Sequence, residues 1–175
     1  QMDNALAFDA DTALAFRPGD LGGLFRAAEK EFVVRARDRN VRIIIWDSAK
    51  KLPRIEMHSE RMGQVISNLL DNAVKYSFKG EKVSIKGKDS GARVRFSVQN
   101  RGIGIPEEYY QAIFQPYRRK VIEDPKRFIA GTGLGLPIVH QIVAGHGGTI
   151  HVESVPFLDD PARQGPEHGH IVTFT

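Results

Sequence analysis

Apolar side chains recur at helical spacing from the first third of the chain onward. Leu21, Leu24, Phe25, Ala28, Phe32 and Ala36 fall on one helical face, which predicts a helix from a cap at Asp20 to about Arg39. The β-branched run Val41-Arg42-Ile43-Ile44-Ile45-Trp46 predicts a strand, and residues 54–57 a shorter one. A second helix is expected from Ser59, read as its cap, to about Tyr76. Met62, Val65, Ile66, Leu69, Leu70, Ala73 and Val74 fill one broad apolar arc of it. Two strands follow, near 82–88 and 93–98, joined by the turn Asp89-Ser90-Gly91. Residues 102–106 read as a turn, with Pro106 suited to the first position of a short helix. A polar stretch covers 115–133, a further helix 134–144, and closing strands 149–154 and 170–175, joined by a hairpin loop. Upstream, residues 13–17 read as an extended segment ended by Pro18-Gly19.

Strands that pair as hairpins, with helices arriving singly, predict an α/β two-layer sandwich: a mixed, mostly antiparallel sheet with helices on one face. A doubly wound fold needs a regular strand–helix alternation that this order lacks. The length of 175 residues suits one domain over 1–175.

Composition narrows the chemistry. The chain has no cysteine, which excludes disulfides, thiolate metal sites and thiol catalysis. It has no run of 18 apolar residues and no secretory leader at Gln1-Met2-Asp3-Asn4, and Gln1 ahead of Met2 reads as a piece of a longer chain. A formal charge of +4 is compatible with an anionic partner or with an ordinary soluble surface.

Three features carry candidate chemistry. Asn68, Asn72 and Lys75 share the edge of the second helix. Asparagine is a poor mid-helix residue, yet its carboxamide oxygen can ligate Mg²⁺, and amide and ammonium groups can donate to phosphate. The stripe is either a magnesium–phosphate grip or a solvated helix edge. Two glycine clusters, Asn100-Arg101-Gly102-Ile103-Gly104-Ile105-Pro106 and Gly131-Thr132-Gly133-Leu134-Gly135-Leu136, each precede a helix. They are plain turns or places where backbone N–H groups meet an anion. Neither is a Walker A loop, and no strand leads into the second as a Rossmann site requires. Between them, Arg118, Arg119, Lys120, Lys126 and Arg127 lie in a basic loop that can close over a polyphosphate or simply face solvent.

In their order along the chain, these pieces resemble the sensor histidine kinases. Residues 64–76 are similar to the N box of that family, 100–106 to G1, 113–119 to the F box and 131–136 to G2. His146-Gly147-Gly148-Thr149-Ile150 resembles the turn and strand that follow. The resemblance covers residues 20–175 and implies the ATP-binding fold shared with gyrase, the heat-shock chaperone and the mismatch-repair ATPases. Residues 1–19 then read as a strand and the remnant of a linker to a dimerisation domain. The implied cofactors are ATP and Mg²⁺, with Asn68 and Asn72 by the phosphates and Asn72 as the metal ligand. Lys75 would pair with phosphate and Tyr76 would lie near the adenine pocket. Gly102, Gly104 and Ile105 would shape that pocket around Asn100. Arg118 or Arg119 would reach the phosphates, which the N–H groups of Gly131, Thr132, Gly133, Leu134, Gly135 and Leu136 would cradle. Asn68, Lys75, Arg118 and Arg119 would serve the transfer itself, which needs positioning and charge neutralisation rather than a covalent nucleophile.

The implied partners are the dimerisation and phosphoacceptor domain of the parent kinase and a response regulator. Nucleic acid and direct membrane contact are not expected, and the implied location is cytoplasmic. None of His58, His140, His146, His151, His168 or His170 has the setting of the phosphorylated residue; His146 and His151 should pack at a turn and a strand. A gyrase-like clamp fits less well, because those relatives place a catalytic carboxylate where Asn68 stands.

One departure bears on function. The family's G1 box opens with Asp, which accepts from the adenine amino group, and Asn100 stands there. An amide accepts without charge assistance, a deficit of about 1–2 kcal/mol. Alternatively, the amide donates to guanine O6 and relaxes base choice. A degenerate docking module with weak or altered nucleotide preference is the competing reading. Arg101, where a small or polar residue is commoner in the family, is expected to face solvent.

Overall fold

The computed structural model describes residues 16–116, 134–156 and 170–175. Its elements are β1 (Arg17–Gly19), α1 (Leu21–Asp38), β2 (Arg42–Ile45), α2 (Asp47–Lys50), β3 (Ile55–Met57), α3 (Ser59–Tyr76), β4 (Lys82–Asp89) and β5 (Val94–Gly102). Two 3₁₀ turns (Glu107–Tyr109, Ala112–Phe114), α4 (Gly135–Gly145), β6 (Val152–Pro156) and β7 (His170–Phe174) complete them. Five strands form the main sheet in the order β2-β4-β5-β7-β6, with β2 parallel to β4 and the other pairs antiparallel. β1 and β3 form a separate two-stranded ribbon. This is the expected sandwich with a mixed, mostly antiparallel sheet.

The core lies between the sheet and the helices. All seven residues of the α3 arc are buried, as are Leu21, Phe25, Ala28, Phe32 and Ala36 of α1 and Val139 and Ile142 of α4. They face Val83 and Ile85 of β4, Val98 of β5, and Val172 and Phe174 of β7. Each of the larger of these side chains contributes roughly 1.5–3 kcal/mol through the water it leaves, and each alanine less. α3 packs on both α1 and α4, and Phe25 meets Phe96 edge to face at 5.2 Å, so the helices share one face. Among the described residues, no helix is long and apolar enough to cross a membrane.

Several local expectations are corrected. α3 is capped by His58, whose side chain accepts from the Arg61 N–H at 3.3 Å; Ser59 is already helical. The Ser59 hydroxyl instead lies 2.9 Å from where a Gly19 β-carbon would stand, facing β1. Pro18 and Gly19 do not end the first strand but belong to it; an edge strand tolerates proline's missing donor. Asp20 precedes α1 without a side-chain capping bond, and its carboxylate reaches Arg26 at 3.4 Å. The single turn α2 has no counterpart among the expected elements. β5 runs four residues beyond Val98, because Asn100, Arg101 and Gly102 pair with Val172, Ile171 and His170 of β7.

Candidate functional site

The end of α3 is stitched to the end of β5. Ser77 leaves the helix with an extended backbone, and its hydroxyl donates to the Ala73 carbonyl at 2.6 Å. Ser77 then bridges Gly102, while the Ile103 N–H donates to the Tyr76 carbonyl and the Phe78 N–H to that of Arg101. The approach is so close that a β-carbon on Gly102 would stand 1.9 Å from the Tyr76 carbonyl oxygen. Glycine is therefore required there for space. From the other side, Arg39 donates to the Val74 and Lys75 carbonyls at 3.2 and 2.8 Å, which satisfies two of the open acceptors at the helix end.

At the other end of the polar stripe, α3 meets the start of α4. The Asn68 carboxamide oxygen is 3.5 Å from the place of a Gly135 β-carbon. Leu134, at the cap position of α4, has no polar side chain to offer the first-turn N–H groups of Gly135 and Leu136. Amides that Leu134 leaves without a side-chain cap at a helix start, beside a carboxamide, suit an anion. Asn68, Asn72 and Tyr76 stand at i, i+4 and i+8, so one stripe of α3 runs from the α4 start to the β5 end. All are half-buried, as is Lys75, whose ammonium lies 5.8 Å from the Tyr76 ring centroid.

Asn100 differs from the others. On β5 it lies on the core side, paired with Val83 across one neighbour and Val172 across the other. It is 3% exposed, and its Nδ2 has no hydrogen-bond partner among the described residues. Beyond it, Gly104 and Ile105 are held against the far strands. A β-carbon on Gly104 would strike the His170 ring at 2.4 Å, and the Ile105 N–H donates to the Ser154 hydroxyl at 3.0 Å. Ser154 is fixed in turn by its N–H donating to the Tyr110 hydroxyl at 2.7 Å, and its own hydroxyl lies 3.1 Å from His170 Nδ1. No short-range pattern in the sequence marks Ser154 and Tyr110.

The structure thus brings Asn68, Leu134, Gly135 and Leu136 together at one end of the stripe, and Tyr76, Asn100 and Gly102 at the other. Arg118, Arg119, Gly131, Thr132 and Gly133 lie outside the described residues. Among the described residues, no group of three or more His, Cys, Asp or Glu is placed to hold a metal. The available donors near the stripe are neutral carboxamides, which suit a hard cation that keeps water and phosphate as its other ligands. His146 packs at the end of α4, as expected. Its Nε2 accepts from the His58 N–H at 3.1 Å, its Nδ1 lies 2.8 Å from the Ile142 carbonyl oxygen, and Phe16 stacks edge-on against its ring.

A family model described as histidine kinase-, DNA gyrase B-, and HSP90-like ATPase matches residues 57–175. The chain is 36% identical over 143 residues to sensor histidine kinase ZraS of Escherichia coli (strain K12), covering 82% of this chain and 29% of that protein. It spans less than a third of the length of the curated relatives it matches. Among solved structures, the catalytic domain of histidine kinase ThkA superposes with a TM-score of 0.68 at 29% identity, covering 91% of this chain and 95% of that one. Full-length ShkA in complex with AMPPNP gives a TM-score of 0.70 at 28% identity, covering 91% of this chain and 30% of that one. ThkA has also been solved in complex with the response regulator TrrA, where the likeness is 27% identical with a TM-score of 0.65 and covers 91% of this chain and 40% of that one.

Proposed function

Because the chain belongs to the histidine kinase-, DNA gyrase B-, and HSP90-like ATPase family, we propose that it is the catalytic domain of a two-component sensor kinase. It binds Mg·ATP and passes the γ-phosphoryl to a histidine on a separate dimerisation domain. The observation that carries this reading is the apposition of Asn68 to Gly135. A carboxamide-bearing helix and a helix start without a side-chain cap then face one phosphate chain. Asn68 and Lys75 position that chain, Asn72 ligates the cation, and Tyr76, Gly102, Gly104 and Ile105 border the base. Bound with the triphosphate, Mg²⁺ supplies neutralisation of charge on the phosphate oxygens.

The likenesses to kinase catalytic domains favour a working nucleotide site over a degenerate docking module. The AMPPNP bound by ShkA and the regulator bound by ThkA support a nucleotide and a response regulator as the partners of the parent protein. Calorimetric titration with ATP in the presence and absence of Mg²⁺ tests the reading. Magnesium-dependent binding in the micromolar-to-millimolar range is expected, and it should weaken at least tenfold in Asn72→Ala. Radiolabel from γ-labelled ATP should reach histidine only when the parent's dimerisation domain is supplied. No binding at millimolar ATP, or an Asn72→Ala protein that binds like the original, rejects it.

A further inference from the structure

The orphaned amide of Asn100 bears on which base the pocket takes, an inference that rests on the nucleotide reading above. A carboxamide buried to 3% exposure with no acceptor for its Nδ2 among the described residues is uncommon, because such a donor loses its water and gains nothing in return. It stands in the row Phe96, Val98, Asn100 on the core side of β5, between two buried valines on the neighbouring strands. No apolar core needs an amide there. Nδ2 is itself sealed from water and lies 3.0 Å from the place where a Gly102 β-carbon would be, so a side chain at Gly102 would press on that donor as well as on the Tyr76 backbone.

The edge of a purine offers one of two groups at its 6-position. Adenine presents an amino donor; hypoxanthine and guanine present an oxo acceptor. A carboxylate at the end of β5 can only accept, so it selects the amino base. A carboxamide carries one acceptor and two N–H donors, and an unpartnered nitrogen is the kind of donor that an oxo base requires. To meet adenine, the amide must present its oxygen, and the base then offers Nδ2 no acceptor. We propose that Asn100 determines base choice and that this chain binds 6-oxopurine nucleoside triphosphates at least as tightly as ATP.

Competition calorimetry with Mg·ITP, Mg·GTP and Mg·ATP tests this. ITP shares the sugar and triphosphate of ATP and carries the oxo group at position 6; GTP adds the 2-amino group. The expected result is an ITP dissociation constant equal to or below that of ATP. Asn100→Asp should reverse the order by about tenfold or more, since a carboxylate repels O6 and gains a charged bond to the adenine amine. Because a buried Asp can unsettle the fold, Asn100→Ala is the second variant: it removes donor and acceptor together and should weaken ITP more than ATP while triphosphate binding persists. Tenfold or greater preference for ATP in the unaltered chain overturns the assignment of base choice but leaves the nucleotide site standing. An ITP-to-ATP ratio unmoved by Asn100→Ala does the same. Failure to bind any of the three triphosphates refutes the site and the inference together.

Discussion

The Asn68 carboxamide rests against the backbone of Gly135, 3.5 Å from where a side chain would begin. The contact leaves room for a methyl group but not for a branched side chain. Gly135→Ala should therefore fold with unchanged or slightly raised stability, since alanine is the better helix former by up to about 1 kcal/mol. Gly135→Val should push Asn68 aside and weaken Mg·ATP binding about tenfold. Thermal melts paired with nucleotide titration check both, and equal affinity in the two variants contradicts the role given to this contact.

Asn68→Ala and Asn72→Ala should separate stability from function. Each removes a poor helix former from a half-buried position, so folding should gain roughly 0.5 kcal/mol. Nucleotide affinity should fall in both. Urea unfolding alongside calorimetry provides the check; a loss of stability would mean that these amides serve the fold instead.

At Gly102 the constraint is steric. The methyl of Gly102→Ala would overlap a backbone oxygen that cannot move without parting α3 from β5. A cost of roughly 3 kcal/mol is expected, at the upper end for overpacking a tight site. The urea midpoint reads it directly.

Tyr110→Phe removes the hydroxyl that accepts from the Ser154 N–H, and Ser154 in turn holds the Ile105 N–H. A loss of about 1 kcal/mol is expected. Amide exchange at Ile105 should speed up more than exchange in the centre of β5, which no change confined to the core would produce.

His146→Ala should cost roughly 1–3 kcal/mol, because it strands the His58 N–H that now has the ring as its acceptor. His146→Gln should recover part of that loss, since an amide can both accept and donate.

The long periodic elements were readable in the sequence because burial and pattern coincide. Each residue assigned to the α3 arc is buried. The features that escaped are decided by distant partners. β5 looked finished at Val98 because Asn100 and Gly102 favour turns by local preference; pairing to β7, some 70 residues away, extends it. His58 caps α3 where the serine rule pointed to Ser59, because the helix already includes Ser59 and the residue before it carries a ring nitrogen that can accept. α2, a single turn, is too short to show a period. For the candidate site, residue types and their order singled out Asn68, Tyr76, Asn100, Gly102 and Gly135, and the fold sets Asn68 beside Gly135 and Gly102 beside Tyr76 and Asn100. The supports at Ser154 and Tyr110 belong to separate elements, and only the folded chain shows that they touch.

α3 is also the route by which the chain crosses from β2 to β4, which run side by side in the same direction. A molecule clasped along that crossover would act as a splint on the sheet's only parallel seam among the described strands. Occupancy should then slow amide exchange in β2, an edge strand remote from the clasped surface, because that seam cannot open while its connecting helix is held.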